Sequence, residues 1–203
     1  MIVDVISWAA VGLILVTSTI ILINRAWRVS LGALAVQYIA VFWLVTRHLP
    51  FVMSSAKLIT GWMVVAVLGM TCMGLTDLEH EKEDLFWLRG QWFRAILMGI
   101  VVLITVGSTL RIEASIPGLG LPVIAGGMLL IGAGVVHLGV TSNLLRVSLG
   151  LLTMLAGFEI LYAAVESSIL VTGFLAVVNL CLGIIGSYLL TAGTSPLETE
   201  EEL

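Results

Sequence analysis

Long apolar runs separated by short polar links are the dominant pattern of this chain. Each run is continuous over roughly the length that crosses the hydrocarbon of a bilayer, about 20 residues. The runs lack the alternation of apolar and polar positions that is typical of membrane β-strands, so they predict an all-α bundle of seven transmembrane helices. The predicted spans are Val5–Ile23, Val29–Val45, Leu58–Leu75, Trp92–Leu110, Leu121–Val140, Val147–Val165 and Ile169–Leu190.

Composition confirms that the surface of this chain is suited to lipid. Apolar residues make up 60% of the 203 residues and charged residues 11%, whereas about 25% of an ordinary soluble domain is charged. A soluble enzyme is therefore excluded, and the lipid bilayer is the first partner that we expect. The net charge of −4 offers no basic surface for nucleic acid.

The basic residues predict how the bundle is oriented. Six of the nine lie on the side where the first span ends, and three lie on the other side. Since cytoplasmic loops carry the excess of Lys and Arg, we expect the N-terminus outside and the C-terminus inside, with an acidic cytoplasmic tail over 193–203. The two groups are Arg25, Arg28, Lys82, Arg89, Arg94 and Arg146, against Arg47, Lys57 and Arg111.

A repeated motif divides the chain. The segment Arg28–Leu34 reads RVSLGAL and Arg146–Leu152 reads RVSLGLL, and each opens the second helix of a three-helix group. The fourth span returns the chain to the outside, so the two copies are predicted to be parallel. Parallel repeats occur in transporters, but duplication of any small membrane subunit would give the same layout. The predicted units are a first repeat, a polar segment with a linking helix, a second repeat and the acidic tail, at 1–75, 76–120, 121–192 and 193–203.

The segment Thr76–Gln91 is the only long polar stretch between the repeats. It carries five acidic residues and then an aromatic group, which suits a short helix at the headgroup level with its acidic residues near the helix start. A solvated loop with an aromatic anchor is the alternative, and docking of a cytoplasmic partner is a further hypothesis. The residues concerned are Asp77, Glu79, Glu81, Glu83 and Asp84, followed by Phe86, Trp87, Trp92 and Phe93.

Glu159 is the ionisable residue that lies most clearly inside a span, with no charged neighbour in the sequence. A buried charge costs a few kcal/mol on insertion scales, so an intramembrane carboxyl is a functional candidate by default. Such a group can carry a proton across part of the membrane. A carboxyl that stays protonated and hydrogen-bonds a neighbouring helix is the structural alternative.

Several other polar residues are candidates for an accessory role. Asn179 lies deep in the seventh span, where it either bridges helices by hydrogen bonds or lines a polar path beside Glu159. Lys57 is predicted to reach the outer surface with its flexible stem, and His137 either titrates or is held by hydrogen bonds. Glu166 is expected to be solvated at the outer end of its span, and Gln37 is polar but not titratable.

Chemical motifs for catalysis are not found in the sequence. It contains no nucleophile elbow, phosphate-binding loop, haem ligand pair or metal-ligand cluster, so no catalytic residue, cofactor or metal ligand is predicted. The cysteines Cys72 and Cys181 both fall inside spans and lack metal-binding or disulfide spacing. We therefore expect no autonomous enzymatic activity.

The second repeat resembles a subunit of a respiratory enzyme. Residues 143–145 read NLL and 153–161 read TMLAGFEIL, and over Leu121–Leu190 the chain is similar to the three-helix K subunit of complex I. The resemblance implies that Glu159 corresponds to the glutamate of that family's proton-transfer axis. The family's third helix carries a second glutamate with a glycine four residues later, and Asn179 and Gly183 occupy that spacing here.

The chain as a whole is similar to the E component of hydrogenase-4 and formate hydrogenlyase, a relative of the K subunit and of the C subunit of multisubunit cation/proton antiporters. This resemblance implies a non-catalytic subunit, in a bacterial or archaeal cytoplasmic membrane, that supports proton or cation movement. Antiporter-like and quinone-module-like membrane subunits would be its partners. A scaffold without a transport role is the alternative, favoured by Asn179 and by Val41, which stands where the first repeat would carry the equivalent of Glu159. A stand-alone transporter is disfavoured, because the two copies lack paired broken helices or matched charges.

Overall fold

The computed structural model describes residues 2–24, 26–75, 86–166 and 168–194. Over these residues the chain forms seven α-helices and no strand, and all seven are long and apolar enough to cross a membrane. The prediction of an all-α membrane protein with seven spans is thus confirmed at this level. The helices are α1 Ile2–Ile23, α2 Trp27–Val45, α3 Phe51–Gly74, α4 Phe86–Ser115, α5 Leu121–Val140, α6 Leu144–Val165 and α7 Ile169–Thr194.

Most helices extend beyond the apolar runs that predicted them. The largest differences are in α3, which begins at Phe51 rather than Leu58, and in α4, which begins at Phe86 rather than Trp92. Pro50 immediately precedes α3 as its N-cap residue, and a proline suits a helix start because it lacks the amide hydrogen that would be unpaired there. The first two turns of α3 contain Ser54, Ser55 and Lys57, which lower the local hydropathy without preventing a helix.

The helices form two rows of three with one helix outside them. In the first row α2 lies between α1 and α3, and in the second row α6 lies between α5 and α7. The rows face each other so that α1 packs on α5, α2 on α6 and α3 on α7, and α4 packs against α5 and α1. The middle helix α6 therefore contacts three others and α2 contacts four, and the centre of the bundle lies between α2 and α6.

The closest helix contact is between α5 and α6, where glycines meet. A Cβ atom built on Gly157 would lie 2.7 Å from the carbonyl oxygen of Gly127, and one built on Gly134 would lie 2.8 Å from that of Gly150. Small residues at such positions let two membrane helices approach backbone to backbone. The contact joins α5 and α6 and fixes the position of α6 along α5.

Two arginines, Arg94 buried and Arg146 partly buried, lie at the end of the bundle where α1, α3, α5 and α7 finish, which we call the carboxy-terminal end. Arg94 of α4 donates to the carbonyl oxygen of Leu22 at 3.1 Å, and Arg146 of α6 donates to that of Asn24 at 2.9 Å. The last carbonyls of a helix have no partner within the helix and carry partial negative charge. The two arginines thus stabilise the end of α1.

At the opposite, amino-terminal end, a carboxylate orders the link between α4 and α5. The Glu113 oxygens accept hydrogen bonds from the backbone amides of Gly118 and Gly120 at 3.4 and 3.1 Å. Gly118 and Gly120 have φ angles of 101° and 84°, a region that side chains rarely adopt. The acidic part of segment 76–91, up to residue 85, and the tail from 195 lie outside the described residues, and the membrane orientation and the repeat stay predictions.

Candidate functional site

A buried ion pair joins α3 to α6 inside the bundle. The ammonium nitrogen of Lys57 lies 3.8 Å from Oε2 of Glu159. Their side chains are 4% and 2% exposed, so the pair is closed off from the surface of this chain. Burying both charges is costly unless they compensate each other, and here a cation and an anion meet across the two rows.

The position of the pair follows from the register of the two helices. Lys57 lies six residues after the start of α3, and Glu159 lies six residues before the end of α6. At a rise of about 1.5 Å per residue, both residues lie about 9 Å from the helix ends at the amino-terminal end of the bundle, which are the start of α3 and the finish of α6. The two side chains are therefore at the same depth although they come from opposite rows.

Lys57 does not extend to the surface as its position in the sequence predicted. That prediction placed Lys57 just outside the apolar run, whereas α3 begins two turns earlier and turns this residue toward the interior. Because α3 packs mainly on α2 and α7, only a long side chain can span the distance to α6. The flexible stem of lysine thus serves a buried contact with Glu159.

A second buried polar contact lies beside the pair. The Tyr38 hydroxyl of α2 donates to Oδ1 of Asn179 on α7 at 3.2 Å, and the two residues are 3% and 2% exposed. The ring of Tyr38 lies on Gly61 of α3, where a Cβ atom would approach within 2.6 Å of the ring carbons. A glycine at position 61 is therefore needed for Tyr38 to reach Asn179.

These groups retain hydrogen-bonding capacity that the described residues do not use. The Lys57 ammonium, Oε1 of Glu159 and both amide atoms of Gln37 have no hydrogen-bond partner there. Gln37 is 1% exposed. Since buried polar groups are normally hydrogen-bonded to protein or to internal water, the unpaired atoms of Lys57 and Glu159 can take part in further hydrogen bonds.

Two of the predicted accessory residues lie away from Glu159. His137 is buried one turn from the end of α5, about 15 to 18 Å nearer the carboxy-terminal end when the helical rise is counted. Glu166 is the exposed C-cap residue of α6. The bundle thus brings Lys57, Glu159, Tyr38 and Asn179 to a similar depth, which we call the central polar cluster, and leaves His137 and Glu166 outside it.

The central polar cluster has both an acidic and a basic side chain and no net formal charge. One proton moved between Lys57 and Glu159 converts two charged groups into two neutral ones. The Tyr38 hydroxyl and the amide of Asn179 can donate and accept hydrogen bonds near neutral pH without titrating. The arrangement is chemically suited to holding and passing a proton, and equally to joining the two rows.

Sequence reasoning identified Glu159 and Asn179 but missed Tyr38 and the pairing of Lys57 with Glu159. Lys57 and Glu159 are two oppositely charged residues in apolar surroundings, which is a signal that they belong together. Tyr38 directly follows Gln37 within the second apolar run, and a hydroxyl there needs a buried partner. That partner could not be identified without the helix packing.

Comparison with known proteins adds no identification of this chain. No family model matches the sequence. No curated protein and no solved structure match it either. Over the residues that the structure describes, the chain is a membrane protein with seven spanning helices and a buried Lys57–Glu159 pair.

Proposed function

We propose that the chain is a non-catalytic membrane subunit that supports proton or cation translocation in a complex I-like, hydrogenase-like or antiporter-like assembly. The observation that carries the proposal is the ion pair between Lys57 and Glu159, 3.8 Å apart and buried among membrane-spanning helices. Intramembrane ionisable residues are rare and are found where ions or protons move.

The surroundings of the pair support a role in proton transfer. Glu159 has one carboxylate oxygen facing Lys57, and its other oxygen has no hydrogen-bond partner among the described residues. A carboxylate with a free oxygen can accept a proton while its neighbouring ammonium remains in place. Proton uptake by Glu159 would then leave Lys57 as the charged member of the pair until the proton moves on.

The proposed role requires other subunits. The sequence contains no motif for a redox centre, so electron transfer would take place on partner subunits, and antiporter-like and quinone-module-like membrane subunits are the partners that the resemblance implies. Isolation of the chain from its native membrane in mild detergent should yield a hetero-oligomer. A lone, monodisperse protein would contradict the subunit proposal.

Replacement of Glu159 by glutamine tests the transport role. The amide keeps the shape of the side chain but cannot carry a proton by ionising, so we expect proton translocation by the assembled complex to fall by at least about tenfold. The measurement is ΔpH formation in vesicles that contain the complete complex, with subunit content checked in the same preparation.

Glu166→Gln is the matched control for this experiment, because it makes the same chemical change on the same helix at an exposed position. We expect it to retain translocation. Unchanged translocation in a fully assembled Glu159→Gln complex would contradict the transport role.

A structural scaffold is the second candidate function. It is favoured by the compensation of Glu159 by Lys57, since a paired charge can join two rows of helices without moving a proton. In that case Glu159→Gln would lower the amount of assembled complex, and the complexes that do form would translocate protons at the normal rate.

A further inference from the structure

An apolar layer separates two polar levels along the contact between α3 and α7. At one level Asn179 accepts the hydrogen bond from Tyr38. At the other level, near the carboxy-terminal end, the hydroxyls of Thr71 and Ser187 are hydrogen-bonded to each other. Between these levels, Val64 and Leu68 of α3 pack on Gly183 and Gly186 of α7.

Val64 and Leu68 of α3 fill this layer. They are 1% and 0% exposed. A Cβ atom built on Gly183 of α7 would lie 2.8 Å from Cγ1 of Val64. One built on Gly186 would lie 3.5 Å from Cδ2 of Leu68 and 2.5 Å from the Ser148 hydroxyl of α6, which marks the polar edge of the layer. The absence of side chains on α7 thus lets α3 approach so closely that no water fits between the helices.

The neighbouring helices α2 and α6 also carry buried aliphatic side chains at this depth. Leu34 of α2 and Leu152 of α6 are both fully buried. Counted from the carboxy-terminal helix ends, Leu34, Val64, Leu68 and Leu152 lie about 9 to 15 Å deep. Leu34 and Leu152 therefore add aliphatic side chains from α2 and α6 at this depth, where Thr153 of α6 is a buried polar neighbour.

We propose that Val64 and Leu68, packed on Gly183 and Gly186, form an apolar barrier between the central polar cluster and the carboxy-terminal end. Hydrophobic constrictions exclude water and thereby stop the passage of ions and protons until they widen. Passage across this barrier requires α3 and α7 to separate far enough to admit water. The inference rests on the proposed function for its role in transport, but the barrier itself can be tested without any transport measurement.

The test is the access of a charged thiol reagent to position 179 from the carboxy-terminal side. The background is the full-length chain with Cys72→Ala and Cys181→Ala, which leaves Asn179→Cys as the only thiol. A membrane-impermeant methanethiosulfonate ammonium reagent is added to vesicles in which the chain's orientation has been established by proteolysis of a C-terminal tag. We expect labelling to accelerate by about tenfold or more when Val64 and Leu68 are both replaced by serine, because the layer then admits water.

A matched control places the same two serines on the lipid-facing side of α3. Met63 and Met70 are 52% and 66% exposed, and Met63→Ser with Met70→Ser should leave the labelling rate as in the parent chain. Folding of each variant is checked by its elution in size-exclusion chromatography. If the serine pair at 64 and 68 does not fold, Val64→Ala with Leu68→Ala provides a milder opening and should give an acceleration of the same sign.

Equal labelling rates in the parent and in the barrier variants would overturn the proposal, whether both are fast or both are slow. Acceleration by the control pair to the same extent would also overturn it, since disruption of α3 would then explain the access. Failure of the proposed function gives a different result: Glu159→Gln would leave translocation unchanged while the labelling difference persists.

Discussion

Replacement of Lys57 by methionine is expected to lower the free energy of unfolding of the bundle by about 3–5 kcal/mol. Methionine keeps the length of the stem but removes the charge that compensates Glu159, which is 2% exposed as a side chain. The carboxylate must then either remain as an unpaired buried charge or bind a proton at an energetic cost. Unfolding of the purified chain in mixed micelles measures the loss.

The double variant Lys57→Met with Glu159→Met separates the stability of the pair from its chemistry. Replacing both members of a buried ion pair by apolar groups is often neutral or stabilising, so we expect the double variant to recover most of the stability that either single variant loses. It should nevertheless translocate protons no better than Glu159→Gln. A double variant whose loss of stability equals the sum of the two single losses would contradict an energetic coupling between the residues.

The sequence was sufficient to predict the seven helices, because run length and continuity are direct consequences of the hydrocarbon thickness. Helix starts were less predictable. Ser54, Ser55 and Lys57 lower the hydropathy at the beginning of α3, although the helix continues through them. A serine hydroxyl can bond to a carbonyl one turn earlier, as Ser54 does to Pro50 at 3.4 Å, so its polarity does not need to end the helix.

Of the candidate site, the sequence predicted Glu159 but not its pairing with Lys57. Glu159 stands out in the sequence because its charge lies inside an apolar run, and no packing knowledge is needed to notice it. The choice of its partner depends on which faces of α3 and α6 point inward and on their relative depth. Those properties are set by contacts such as Val64 on Gly183 and Tyr38 on Gly61, which no periodicity in the sequence identifies.

Replacement of Gly157 by valine is expected to lower the free energy of unfolding by about 3 kcal/mol, at the upper end of what overpacking usually costs. The added Cβ atom would lie 2.7 Å from the carbonyl oxygen of Gly127 and 2.8 Å from the amide nitrogen of Ile131. Both neighbours are backbone atoms of α5, so no rotation of a side chain can relieve the clash. The two helices must move apart along their whole contact.

Gly173→Val is the control, because a Cβ atom at Gly173 on α7 meets nothing within 4 Å. Valine is a slightly better helix former than glycine, so the stability of the Gly173→Val variant in mixed micelles should be unchanged or slightly higher.

Gly157 also lies two residues before Glu159, and separating α5 from α6 would displace the carboxylate from Lys57. Gly157→Val should therefore reduce the coupling measured between Lys57 and Glu159 in the double-variant cycle, although it touches neither residue. Retention of full coupling would show that the ion pair does not depend on the close contact of α5 and α6.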